Sequence, residues 1–166
     1  MKQQELQNTF VGLIKEHERI IYKICYLYAD TQANRDDLYQ EIVIQVWKGY
    51  PKFRGDAKFS TWLYRVALNT AIAGFTKEKK SPFVYSTDGH LPEITYDTTG
   101  NEEAEKSALL YAAINQLNDI EKALVMLYLD GKSYEEMEKI MGIPNGALRV
   151  KMTRIKDKLK RITKNN

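Results

Sequence analysis

The amino-acid sequence predicts an all-α fold made of two small helical domains, joined by a flexible acidic linker, with a helix-turn-helix in the second domain. Two observations support this prediction. Apolar residues recur every three or four positions through most of the 166 residues, and no segment of useful length alternates as a half-buried strand would. Residues 81–104 contain several acids, two prolines and two glycines, but no Lys or Arg. We therefore expect domains at 1–80 and 105–166, with the linker at 81–104.

The composition is that of one intracellular chain. Its formal net charge is only +3, so a strongly basic surface requires an uneven distribution of charge. Cys25 is the single cysteine, which excludes an internal disulfide and a cysteine-based zinc cluster; we expect no metal and no other cofactor. The N-terminus lacks the apolar core of a signal peptide, and no apolar run is long enough for direct membrane insertion. A cytoplasmic location is therefore predicted.

Three helices are predicted in the first domain. Residues 6–28 place apolar side chains on one face of a single amphipathic helix. Residues 35–49 repeat that pattern behind Asp36 and Asp37, because acidic side chains favour the first turn of a helix. The third helix is expected from about residue 60 to at least residue 73.

Aromatic and cationic residues are interleaved in the loop before the third helix and in the helix itself. Such side chains hold single-stranded nucleic acid, with bases stacked on the rings and the backbone in a positive groove. Asn69, farther along the helix, could hydrogen-bond a base edge. Alternatively the rings fix the loop on the helical core, an alternative that suits Phe59 better than Trp62. The interleaved residues are Lys52, Phe53, Arg54, Lys58, Phe59, Trp62, Tyr64 and Arg65.

Two helices are predicted at the start of the second domain, at about 102–116 and from Asn118 to Gly131. Asn118 and Glu121 have the spacing of a capping box, in which each residue satisfies the other's backbone N–H.

A helix-turn-helix follows them. Ser133 and Glu136 indicate a capping box at its first helix, and Gly142 suits a helix C-terminus with positive φ. From Ala147 onward there are eight cations and one acid, a local charge of +7. Phosphate is the expected partner of this segment.

Two sets of motifs stand in a fixed order along the chain. The first comprises residues 36–47, the loop 53–56 with Phe-Arg-Gly-Asp, and residues 61–69; the second comprises residues 117–159, with Asp-Gly-Lys-Ser-Tyr-Glu-Glu at its centre. They resemble, respectively, the second and fourth conserved regions of the extracytoplasmic-function (ECF) sigma factors of bacterial RNA polymerase. Two motifs in this order, with only a short linker between them, are far more specific than a helix-turn-helix alone.

The resemblance implies an alternative sigma factor, not an enzyme, that binds core RNA polymerase, directs it to particular promoters and helps to melt the DNA. Its implied partners are core RNA polymerase, promoter DNA and an anti-sigma factor. The family's polymerase contacts match Asp37, Gln40, Glu41 and Trp47. Its contacts to the minus-ten element match Arg54, Lys58, Phe59, Trp62, Arg65 and Asn69.

Contacts to the minus-thirty-five element match the second helix of the helix-turn-helix, at Arg149, Val150, Lys151, Thr153 and Arg154. Arg149 could read a guanine with two hydrogen bonds or contact only phosphate. Lys151, like Lys156 and Lys158, is expected to face phosphate or solvent.

The chain also departs from the family pattern. Glu138 stands where many relatives have a small residue, at the close approach of the two helices, so it must point outward or open their crossing. Ala147 and Val150 replace a common Thr and a common Ser. The promoter sequence cannot therefore be transferred from better-known members. Gly74 and Phe75 interrupt the usual polar end of the melting helix.

Three other classes of function were weighed. A DNA-binding repressor would explain the helix-turn-helix but not the helix 36–47 or the Phe-Arg-Gly-Asp loop. An enzyme is poorly supported, because His17 lies on an apolar helix face and His90 in the linker, with no paired nucleophile and no phosphate-binding Gly-rich loop. A protein-interaction adaptor would need neither the cations of the second helix nor the aromatic loop.

Overall fold

The computed structural model describes residues 2–75 and 102–164. In the first range α1 (Lys2–Glu16), α2 (Glu18–Tyr28), α3 (Gln32–Gly49) and α4 (Phe59–Asn69) form one compact unit, the N-lobe. In the second range α5 (Glu102–Ile114), α6 (Asp119–Leu129), α7 (Tyr134–Met141) and α8 (Asn145–Lys164) form another, the C-lobe. Neither range contains a strand, and the prediction of two all-α domains is confirmed.

The predicted linker lies outside the described residues, except that 102–104 already belong to α5. Of the described helices, none is both long enough and apolar enough to cross a membrane.

Each lobe has its own apolar core. In the N-lobe the core lies between α2, α3 and α4; in the C-lobe it lies between α5, α6, α7 and α8. Burial of each such side chain contributes about 1.5 to 3 kcal/mol, and this is the main force holding short helices together. The largest fully buried side chains are Ile21, Ile24, Leu38, Ile42, Leu63 and Leu68 in the N-lobe, and Leu124, Leu127, Met137, Leu148, Met152 and Ile155 in the C-lobe.

His17 divides the predicted helix 6–28 into α1 and α2. Its backbone leaves the helical region, with φ −113° and ψ 15°. Its ring Nδ1 lies 3.0 Å from the carbonyl oxygen of Leu13, and the ring packs against Phe59 at a centroid distance of 5.1 Å. The prediction of a single long helix was therefore wrong. The helix is interrupted at His17, where the ring contacts Leu13 and Phe59.

Helix α3 begins earlier than predicted. The hydroxyl of Thr31 accepts a hydrogen bond from the backbone N–H of Asn34 at 3.1 Å, which caps a helix starting at Gln32. Asp36 therefore lies beyond the first turn, contrary to expectation. The early start brings Arg35 inside the lobe, where only 9% of it is exposed.

Local capping signals define the C-lobe helices. The predicted capping box of α6 is complete: Asn118 Oδ1 accepts from the Glu121 N–H at 2.8 Å, and Glu121 Oε1 accepts from the Asn118 N–H at 3.0 Å. At α7 only half of the predicted box forms. Ser133 accepts from the Glu136 N–H at 3.1 Å, whereas the Glu136 carboxylate lies 3.7 Å from the Lys132 ammonium.

Candidate polymerase and nucleic-acid interfaces

Helix α3 presents an exposed face that is acidic and ends in an apolar residue. Asp37, Gln40 and Glu41 are all exposed and lie on one side of the helix, at positions i, i+3 and i+4. Ile44 continues the same face and is 45% exposed. We call these four residues the α3 face. Ile44 was not among the predicted contacts: its place seven residues after Asp37 puts it on the same face, but its exposure follows only from the packing of α3.

Trp47 has a different environment from the rest of this group. Its ring is half-buried and packs against Phe10 of α1, with the centroids 4.8 Å apart. Trp47 therefore borders the α3 face and ties it to α1.

The aromatic residues of the loop and of α4 pack on one another. The rings of Phe53, Phe59 and Trp62 have centroids 5.0 to 5.9 Å apart, and all three are half-buried. Gly49 lies directly beneath the indole, since a Cβ added there would stand 3.0 Å from a Trp62 ring carbon. These rings fix the loop on the lobe while leaving part of each surface exposed.

Polar residues of α4 follow the exposed side of Trp62. Lys58, Arg65 and Asn69 are exposed and lie within one third of the helix circumference around the indole. Arg54 is exposed in the preceding loop, which turns at Gly55 with φ +78°. We call this set, with Phe59 and Trp62, the α4 face: exposed cations, ring faces and an amide side by side.

Helix α8 buries one side and exposes the other. Arg149, Val150, Thr153 and Arg154 are exposed and lie opposite the buried residues of the helix, with Val150 51% exposed. Lys151 is also exposed but lies at the flank of this group. The four residues opposite the core form the α8 face, which has the position of a recognition helix in a helix-turn-helix.

Arg149 makes two side-chain contacts on this face. Its Nε donates to Asn145 Oδ1 at 2.8 Å, and its guanidinium lies over the ring of Tyr134 in α7, 4.7 Å from the centroid. The Thr153 hydroxyl donates to the Arg149 carbonyl at 3.0 Å.

Two lysines expected to face phosphate or solvent also have protein partners. The Lys158 ammonium lies 3.1 Å from Glu121 Oε1, the same oxygen that caps α6. The Lys156 ammonium lies 4.3 Å from the centroid of the Tyr128 ring. The charge of Lys158 joins α8 to α6 while its side chain remains 41% exposed, so its contact with phosphate stays a prediction.

Burial alone would raise the pKa of Glu121. The hydrogen bonds from the Asn118 N–H and from Lys158 outweigh that effect and hold the pKa below its usual range. Glu138 is exposed, so it points outward, which is one of the two arrangements expected for it.

No group of His, Cys, Asp and Glu in residues 2–75 and 102–164 has the arrangement of a metal site. Burial raises the pKa of the Cys25 thiol to about 12, partly offset by the charge of Arg35. The thiol is therefore protonated at neutral pH.

Comparisons with known proteins identify the family of the chain. Residues 13–81 match the family model for sigma-70 region 2, and residues 107–159 match that for sigma-70 region 4. The chain is 31% identical to the ECF RNA polymerase sigma-E factor of Haemophilus influenzae, over 93% of this chain and 87% of that protein. It is also 31% identical to the protein of the same name in Escherichia coli strain K12, over 91% and 84% respectively.

Two solved structures share the fold. One is the sigma factor RpoE in complex with the anti-sigma factor NepR from Bartonella quintana, with a TM-score of 0.71 and 19% identity over 94% of this chain and 97% of that one. The other is CnrH in complex with the cytosolic domain of CnrY, with a TM-score of 0.68 and 17% identity over 96% and 90%. The chain thus belongs to the ECF sigma factors and is an alternative sigma factor that directs promoter-specific transcription.

Proposed function

We propose that this sigma factor docks on core RNA polymerase through the α3 face, captures unpaired minus-ten DNA with the α4 face and reads the minus-thirty-five element with the α8 face. The observation that supports it best is the pairing of two nucleic-acid chemistries in one chain. The α4 face combines ring surfaces with cations, as single strands require, and the α8 face presents two arginines and a threonine, which can meet donors and acceptors in a major groove. The protein acts without catalysing a reaction, in the cytoplasm, where core polymerase works.

Docking on the polymerase rests on the chemistry of the α3 face. Its two carboxylates, Asp37 and Glu41, steer the helix towards a basic partner, and Ile44, one turn beyond Glu41, supplies apolar area. Changing both carboxylates to Lys should reduce binding of core polymerase strongly while leaving helical content unchanged.

The matched control is reversal of Glu5 and Glu16, which are exposed on α1. Pull-down of core polymerase measures the difference. Equal capture by the α3 double variant and the α1 control would exclude the α3 face as the docking surface.

Melting rests on the α4 face. Each base stacked on an aromatic ring is stabilised by about 1 to 3 kcal/mol, and the Asn69 amide is exposed on the same side of α4 as Trp62, two turns farther along. Replacing Arg54 and Asn69 together with Ala should reduce open-complex formation on duplex promoters. The loss should be smaller on templates that already contain an unpaired bubble.

Permanganate footprinting on both templates tests this proposal, with Lys15→Ala on α1 as the control for a lost surface cation. Equal losses on duplex and premelted templates would mean that these residues contact only the DNA backbone or support the fold.

Reading of the upstream element rests on Arg149. A lost bidentate contact costs about 1 to 3 kcal/mol at one base position, whereas a lost phosphate contact weakens all sequences alike and lowers the salt slope by about one. Arg149→Ala should therefore relax preference at one position in a selection from a randomised element, and Lys151→Ala should not. An unaltered preference profile for Arg149→Ala would remove it from the base readers.

Regulation by an anti-sigma factor is also proposed. Both solved neighbours are complexes with a protein partner, and one of those partners is named as an anti-sigma factor. We expect such a partner to compete with core polymerase for the α3 face. Two results would support this: the anti-sigma factor and core polymerase compete for the wild-type protein, and charge reversal of Asp37 and Glu41 weakens the binding of both.

A further inference from the structure

The two contacts of Arg149 restrict what its guanidinium can do. An arginine on a helix surface normally samples many rotamers, but here Nε donates to Asn145 at 2.8 Å and the guanidinium plane lies over the Tyr134 ring at 4.7 Å. Asn145 is one helical turn earlier on α8, and Tyr134 is the first residue of α7. Both helices of the motif therefore contribute a contact that fixes the Arg149 side chain.

The direction of the hydrogen bond decides which donors face the DNA. Because Nε is directed at Asn145, a guanine must be met by the two terminal nitrogens, Nη1 and Nη2, in an end-on arrangement. Guanine offers O6 and N7 as adjacent acceptors in the major groove, which match that pair of donors. The Thr153 hydroxyl donates its proton to the Arg149 carbonyl at 3.0 Å, so this proton is engaged within the helix.

We propose that Tyr134 and Asn145 are positioning residues that orient Arg149 for end-on reading of one guanine in the upstream element. This inference rests on the proposed base reading by Arg149 and adds the groups that determine its geometry. Binding to a preoriented fork loses less rotamer entropy than binding to a mobile one. The same contacts should therefore contribute to specificity at that one position and little to binding elsewhere.

The variants separate orientation from folding. Tyr134→Phe keeps the ring and should behave as wild type, whereas Tyr134→Leu removes the ring face. Loss of an exposed cation–π contact corresponds to about a two- to fivefold loss of discrimination. Asn145→Ala removes the acceptor of Nε and should cause a loss of similar size. Neither change alters the charge, so the salt slope of binding should be unchanged.

Selection from a randomised upstream element is combined with a double-mutant cycle, in the full chain bound to core polymerase. Tyr134→Leu and Asn145→Ala should relax the same base position as Arg149→Ala, and Tyr134→Leu should have no further effect on that position in the Arg149→Ala background. If Tyr134→Leu relaxes that position equally in both backgrounds, it acts on the helix-turn-helix and not through Arg149, and the inference is overturned.

Two other results also decide the matter. A relaxed profile for Arg149→Ala with wild-type profiles for Tyr134→Leu and Asn145→Ala would leave the base reading intact and overturn only the positioning. An unchanged profile for Arg149→Ala itself would overturn the base reading first, and the positioning with it.

Discussion

The two lobes hold their exposed side chains by different means. In the N-lobe the α4 face is built on rings that pack against one another, since Trp62 contacts Phe53 and Phe59. In the C-lobe the cations of α8 are held by polar and cation–π contacts: Arg149 by Asn145 and Tyr134, and Lys158 by Glu121. Apolar packing responds weakly to salt and acid, whereas charged contacts respond to both.

The difference fits the DNA that each face is proposed to meet. A flipped or unpaired base offers a flat surface, and a firmly packed ring is enough to receive it. A base pair in the major groove offers donors and acceptors at fixed positions, so the side chain that reads it gains from a fixed direction. A surface can therefore be held rigid either by the core packed beneath it or by its own polar contacts.

Truncation of Trp62 should have the largest effect on stability. Trp62→Ala removes ring contacts with Phe53 and Phe59, and we expect a loss of about 2 to 3 kcal/mol in the free energy of unfolding, below the range for a fully buried tryptophan. Trp62→Phe should lose less than half as much, and neither loss should depend on salt. Urea unfolding measures the stability of both variants. A loss below about 0.5 kcal/mol for Trp62→Ala would contradict the view that ring packing stabilises the α4 face.

Alkaline pH should weaken the N-lobe through Cys25. Burial raises the pKa of this thiol from 9.0 to about 12, so its stabilising contribution is complete below pH 9 and is lost as the pH rises towards 12. Relative to Cys25→Ala, the wild-type protein should lose about 2 kcal/mol between pH 9 and 10.5. Thermal unfolding of the two proteins over this range provides the comparison. Parallel curves would contradict the prediction.

Acid should weaken the C-lobe through Glu121. Its pKa is held below the ordinary 4.5 by Asn118 and Lys158, so its contribution is present above pH 4.5 and disappears as the pH falls through the lowered value. Glu121→Gln should cost about 0.5 to 1 kcal/mol at pH 7 and remove that part of the acid dependence.

Lys158→Met should lower the free energy of unfolding by a similar amount and leave the salt slope of DNA binding unchanged. The control is Lys160→Met, which removes an exposed cation and should lower the salt slope. A salt slope lowered by about one for Lys158→Met would show that this ammonium leaves Glu121 to contact phosphate.

Glu138→Ala should have the smallest effect. Its side chain is exposed, so we expect a change within about 0.5 kcal/mol in stability, with a slight gain from helix propensity. Selection from the randomised element should return the wild-type preference. A shifted preference would indicate that Glu138 alters the crossing of α7 and α8.

Local signals in the sequence predicted most of the fold. The apolar spacing indicated the helices, the Asn118 box marked the start of α6, and Gly131 and Gly142 both have the positive φ expected at a helix end. Local signals failed where a distant contact prevailed. His17 breaks a continuous apolar pattern where its ring packs against Phe59, more than forty residues away in the chain.

The candidate sites also combine features that local spacing predicts with contacts that it cannot predict. Motif spacing predicted which residues of α3, α4 and α8 share a face, because a helix repeats every 3.6 residues. It could not predict that Lys158 pairs with Glu121, 37 positions earlier, or that Arg149 stacks on Tyr134. It also gave no reason to single out Ile44, whose exposure depends on how α3 packs against its neighbours.

The early start of α3 has a consequence for how much change the N-lobe tolerates. Arg35 is 9% exposed, and although its guanidinium lies 4.2 Å from the Tyr26 ring centroid, neither Nε nor Nη2 has a hydrogen-bond partner among the described residues. A permanently charged group in this position is costly, and an apolar side chain of similar length often improves on it. Arg35→Met should therefore raise the melting temperature, giving the lobe a reserve of stability with which destabilising changes in the α3 and α4 faces can be accommodated.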